Sequence, residues 1–133
     1  MVLHQSSLIT LDYEPASDIL SLDWPDVKDF LVPEIERELK VLVDTIKHYD
    51  VKKLLIDTSK AQVEVNDAAY QAFLSTFANT LKDTRLQKLA RVGTSNPERE
   101  KITEQAKEAS RIDQVMEFQN FNSKTEALAW LSA

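Results

Sequence analysis

Short apolar runs alternate with amphipathic stretches along the whole chain, and this alternation is the strongest constraint on its fold. Lys53-Leu54-Leu55-Ile56-Asp57 sets three apolar residues in succession, the mark of a strand buried on both faces, as in a parallel sheet. Before it, Ile35, Leu39, Leu42, Ile46 and Tyr49 recur at spacings of 4, 3, 4 and 3, one stripe of a helix running from about Asp26 to Tyr49. Pro33 falls near its start, where a missing N–H does least harm. After it, Asn66 is a good N-cap and Asp67 suits the positive end of a helix dipole. Tyr70, Phe73, Leu74, Phe77 and Leu81 form the apolar face of that second helix.

The remaining elements follow by the same reasoning. Residues 8–13 and 19–24 are short and rich in β-branched and aromatic side chains, and the turn-like EPASD joins them as a hairpin. Leu89-Ala90-Arg91-Val92 and Val115-Met116-Glu117-Phe118 read as two further strands. Ser95 and Glu98 have capping-box spacing ahead of a helix over 97–111, and Ser123 and Glu126 repeat it ahead of a last helix carrying Leu128, Trp130 and Leu131. The order β-β-α-β-α-β-α-β-α predicts one α/β domain over residues 1–133. Its sheet is expected to be mixed, mostly parallel, of about five strands, packed by helices, with the first strand antiparallel at one side.

What such a chain can do is narrowed by what it lacks. It has one glycine, Gly93, and no cysteine. Walker-type loops, dinucleotide fingerprints and the G-x-S-x-G elbow each need closely spaced glycines. Disulfides, thiolate nucleophiles and cysteine-ligated metals need cysteine. His4 and His48 show no metal spacing; His4 reads as part of a mobile terminus and His48 as a helix-end residue. No metal or cofactor is expected. Residues 1–66 hold 13 acids and 7 bases, whereas residues 67–133 hold 9 of each. An acidic chain repels phosphate backbones, so nucleic acid is not expected as a partner. The basic group Lys82, Arg85, Lys88 and Arg91 reads as a solvated helix end. The acids Asp23, Asp26, Asp29, Glu34, Glu36 and Glu38 read as a solubilising face of the first helix. No apolar run approaches membrane-spanning length and no export signal is visible, which together suggest a cytoplasmic protein.

Three segments resemble the STAS-like superfamily, the anti-sigma-factor antagonists and their bacterial relatives, one branch of which is compared with CRAL-TRIO lipid-transfer domains. They are the hairpin LITLDYEPASDILSLDW, the strand–loop–helix KKLLIDTSKAQVEVNDAAY, and the ending VMEFQNFNSKTEALAWL. The resemblance implies a regulatory module acting through protein contacts. In the antagonists a serine–serine–glycine element before the second helix carries a phosphorylated serine. Here Val65-Asn66-Asp67-Ala68 stands in its place, with Asp67 where the phosphoserine would be, so the phospho-switch does not carry over. Thr58 and Ser59 lie earlier in the loop as the residues open to modification instead.

Two candidate sites emerge. Asp57, Thr58 and Ser59 follow one strand; Gly93, Thr94, Ser95 and Asn96 follow another. Parallel strands would open both loops at one sheet edge, beside Asn66 and Asp67, where α/β folds bind ligands. Alternatively, Ser95 or Asn96 simply caps its helix, and Asp57 bonds a neighbouring backbone turn. Tyr70, Phe73, Phe77 and Trp130 could line an apolar pocket under the second and last helices, or merely pack as core. Trp24, beside Pro25, is the aromatic expected to be exposed and to mark an interface. The expected function is therefore a non-catalytic module for an unknown protein partner or self-association. A carrier of a small apolar or amphipathic ligand is the alternative, and an enzyme the third.

Overall fold

A computed structural model describes all residues, 1–133. Six strands form one sheet in the order β1-β2-β3-β5-β7-β8. These are β1 (Val2–Gln5), β2 (Thr10–Glu14), β3 (Ile19–Asp23), β5 (Lys53–Asp57), β7 (Lys88–Val92) and β8 (Glu117–Phe121). Two short strands, β4 (Val27–Lys28) and β6 (Val63–Glu64), pair in parallel beside it. The helices are α1 (Val32–Tyr49), α2 (Asp67–Leu81), α3 (Pro97–Ser110) and α4 (Lys124–Ser132). From β3 to β8 all neighbours are parallel, while β2 runs antiparallel to both β1 and β3. The fold is thus α/β with a mixed, mostly parallel sheet. No helix is long and apolar enough to cross a membrane.

The sheet has six strands rather than about five. The extra strand, β1, has only half-buried or exposed residues, so no apolar alternation announces it. It also removes His4 from a mobile terminus: His4 Nε2 lies 2.7 Å from Glu38 Oε2 of α1. The first helix starts at Val32, not Asp26, because Val27–Lys28 is held in β4 and residues 29–31 form a 3-10 turn. The last strand is shifted to Glu117–Phe121, with Val115 exposed. Its residues are at most half-buried, as befits an edge strand.

Because the parallel strands follow one another in chain order, right-handed crossovers carry every connecting helix to the same face. Leu20, Leu22, Leu54, Ile56 and Leu89 meet α1, α2 and α3 there in a core of 23 buried residues. The alternate residues Ile19, Leu55, Ala90 and Val92 point the other way. They pack with Ala127 and Leu131 of α4 in a separate cluster of six. The two-sided apolar character of β5 is satisfied in this way, three helices above and one below.

The hairpin turn is held by Asp18, whose φ of 57° lies in the left-handed region that an ordinary L-residue avoids. Its carboxylate accepts the Tyr13 hydroxyl at 2.7 Å and the Lys52 backbone N–H at 3.1 Å, joining β2, the turn and the start of β5. The bond to Asp18 and its negative charge push the Tyr13 pKa up to about 12. Asp18→Ala should cost about 1–2 kcal/mol, from two lost hydrogen bonds and a disfavoured backbone. Spectrophotometric titration should then show one tyrosine returning toward 10.0. A Tyr13 titration left unmoved would refute the link.

Candidate functional site

The loops after β5 and β7 do open at one edge of the sheet, since those strands run parallel. A ladder of backbone bonds seals that edge. Trp24 N–H donates to Asp57 O at 2.8 Å, Thr58 N–H to Val92 O at 2.9 Å, and Gly93 N–H to Phe121 O at 3.0 Å. Most polar groups of the two loops are spent locally. Asp57 Oδ1 accepts the backbone N–H of Ser59 at 2.9 Å and its hydroxyl at 2.6 Å, forming a closed turn. Asn66 Oδ1 caps α2 through Ala69 N–H at 2.8 Å. Asn96, not Ser95, caps α3, accepting from Glu98 and Arg99 N–H at 3.0 and 3.3 Å. Ser95 is exposed and makes no side-chain hydrogen bond, and Asp67 is an exposed first-turn acid of α2.

Two loop residues belong to something larger. Thr58, buried, donates its hydroxyl to Val92 O at 2.7 Å and faces the gap between α2 and α3. Gly93 backs onto an ion pair: Arg91 Nη2 lies 2.7 Å from Glu100 Oε2 and Arg91 Nη1 lies 2.8 Å from Oε1. A Cβ on Gly93 would come within 2.5 Å of Glu100 Oε1. The close neighbour of Gly93 is thus the end of the Glu100 side chain, which a larger residue would displace from its pair, and no positive φ is involved. Arg91 Nη1 also donates to Asn120 Oδ1 at 3.0 Å, and the Thr94 hydroxyl to Glu100 Oε2 at 3.0 Å. Burial disfavours the charged Glu100 carboxyl. The hydrogen bonds and charge of Arg91 and the bonds from Thr94 outweigh it and hold the pKa below the usual value.

Between α2 and α3, above the sheet, lies a cavity of about 70 Å³. Its walls are Tyr70, Leu74, Phe77, Ala78 and Leu81 of α2, and Arg99, Thr103, Ala106 and Lys107 of α3. Ile56, Leu89, Arg91 and Phe118 form the floor, with Trp24 and Thr58 toward the loop edge and Ile112 also lining it. Eleven of the sixteen lining residues are hydrophobic.

Of the four residues expected in an apolar pocket, Tyr70 and Phe77 line the cavity and two do not. Phe73 turns away to stack on Tyr70 and meet the edge of Trp24, with ring centres 6.1 and 6.3 Å apart. Trp130 sits on the opposite face of the sheet with α4, against Phe121 at 5.6 Å and under the Lys88 ammonium at 5.0 Å. The pocket is under the second and third helices, not the second and last. Trp24 is likewise buried rather than exposed, its ring 5.4 Å from Phe77 and its Nε1–H donating to the Tyr70 hydroxyl at 3.0 Å. Comparison of the chain with protein-family models, curated proteins and solved structures gives no match.

Of the cleft's polar members the sequence singles out Thr58 and, as part of a solvated group, Arg91; Arg91 is buried instead, and one signal for that was available. Arg91 is the only charged residue within Leu-Ala-Arg-Val, and a charge inside a buried strand requires a partner.

Proposed function

We propose that the protein is a non-catalytic binder of a small, largely apolar ligand held between α2 and α3. The supporting observation is the cavity itself: about 70 Å³, lined mainly by apolar side chains. A cavity of about 150 Å³ encloses benzene, so this half-open space of about 70 Å³ encloses about three heavy atoms, with the rest of a longer ligand lying along the cleft mouth. Burying two or three methylenes at about 0.8 kcal/mol each gives a Kd on the order of tens of millimolar for the apolar body alone. Trp24, the aromatic expected at a partner interface, lies inside, whereas Ser59, Asn66 and Asp67 of the neighbouring loops are exposed.

The test is a titration of 15N-labelled protein with pentan-1-ol. Saturable amide shifts are expected at residues of α2, α3 and the floor strands. Ala78→Met should fill the space with an adaptable side chain and abolish those shifts, while changing stability by less than about 1.5 kcal/mol. If pentan-1-ol produces no saturable shifts at the cleft, the proposal fails.

A further inference from the structure

We propose that the ligand of the α2–α3 cavity is a small monocarboxylate, its aliphatic body among the apolar residues and its carboxylate held by Arg99 and the Tyr70 hydroxyl. The proposal rests on the cavity-binding reading above and assigns the chemistry of the ligand's head. It stands on two groups whose hydrogen-bonding capacity the protein leaves unspent.

The first is Tyr70, which is only 5% exposed and lines the cavity. Trp24 Nε1–H occupies one lone pair of its oxygen at 3.0 Å, and the phenol's own hydrogen meets no acceptor in the protein. A buried donor left without a partner pays its full desolvation cost, which an incoming acceptor would recover. Burial pushes the Tyr70 pKa up, so the phenol keeps its hydrogen to donate.

The second is Arg99. The cavity is lined by two arginines with opposite circumstances. Arg91 is satisfied by Glu100, Asn120 and Thr103. Arg99 donates from Nη1 to the Ala61 carbonyl at 2.6 Å and pairs with no carboxylate. Arg99 is half-buried at the cavity lining and has no counter-ion, so its remaining donors favour an anion, and the planar fork matches a carboxylate. A cationic ligand would meet Arg99 and Lys107 as like charges. A neutral alcohol would leave the guanidinium unpaired. Tyr70 and Arg99 thus stand together at the loop end of the cleft, while Lys107, two turns along α3, lies over the Phe118 ring at the other end.

Titrations with pentanoate, pentan-1-ol and pentylammonium at neutral pH separate the possibilities, since the three probes share one aliphatic body. Pentanoate should bind about tenfold more tightly than pentan-1-ol, and pentylammonium should not bind in the cleft. Arg99→Met should abolish the preference for pentanoate while leaving pentan-1-ol affinity within about twofold, and Arg99→Lys should restore part of it. Equal binding of pentanoate and pentan-1-ol, with Arg99→Met without effect, would overturn the head-group assignment while leaving the cavity reading intact. Failure of every probe to bind would overturn both.

Discussion

Glu100→Gln is expected to be among the most destabilising single polar substitutions in the chain, costing about 2–3 kcal/mol in urea denaturation. The reason is Arg91. Its side chain is 10% exposed and it is paired with Glu100 at 2.7 and 2.8 Å. Removing one partner of a buried pair strands the other charge, at a cost of about 3–5 kcal/mol when both are fully buried. Glu100 is 33% exposed, so water screens part of that penalty and the lower figure applies. The same chemistry predicts a pH dependence. The folded-state pKa of Glu100 is lowered, so its stabilising contribution is complete above the ordinary value of 4.5 and is lost as pH falls through the lowered one. The wild-type midpoint should therefore fall more steeply than that of Glu100→Gln below about pH 4.5. Replacing both partners, Arg91→Met with Glu100→Leu, should recover most of the single-variant loss, because an apolar pair leaves no stranded charge. A Glu100→Gln protein as stable as wild type at neutral pH would refute this assignment.

The elements that pack most deeply were the ones legible in the sequence. Leu54-Leu55-Ile56 announced β5 because both of its faces are covered, and the 4-3-4-3 stripe announced α1 because one face meets the sheet. The edge strands β1 and β8 were missed or shifted because partial burial removes the alternation on which strand recognition depends. Trp24 was misplaced for a different reason. Its burial depends on the Tyr70 hydroxyl and on the Phe73 and Phe77 rings, all of α2 and 46 or more residues away. No local pattern encodes these contacts. The side taken by Trp130 followed from topology. Consecutive parallel strands commit three crossover helices to one face, and the apolar Leu55 still requires cover on the other. Ala127 and Leu131 of α4 supply that cover. As for the candidate site, its apolar wall was half legible through Tyr70 and Phe77. Its polar end was not, because Arg91 meets Glu100, and Arg99 meets Ala61, only after the sheet edge and α3 are in place.

That second face carries the other large expected effect. Leu131→Ala should destabilise the protein by about 3 kcal/mol, within the 2–5 kcal/mol usual for a leucine deleted from a core. Leu131 is 0% exposed and shares its cluster with Ile19, Leu55, Ala90, Val92 and Ala127. The loss can be taken in two ways, and the smaller cost prevails. Either α4 stays docked over a cavity, or it leaves the sheet and exposes Leu55 and Val92 to water. At nine residues, α4 is too short to persist as a helix by itself, and only Ala127 and Leu131 are buried along it. Exposing Leu55, Val92 and Ile19 together costs more than the cavity left by one truncated leucine, so α4 is expected to stay docked and to open locally far more often. This opening should appear as loss of amide protection over 124–132 and a change in the fluorescence of Trp130, whose neighbours are Phe121 and Lys88. Binding of pentan-1-ol between α2 and α3 should survive, because that cavity lies on the other side of the sheet. Leu128→Ala, altering a half-buried neighbour, should cost less than half as much. A Leu131→Ala midpoint within 1 kcal/mol of wild type (about a third of the expected loss) would mean that α4 contributes little to closing the sheet.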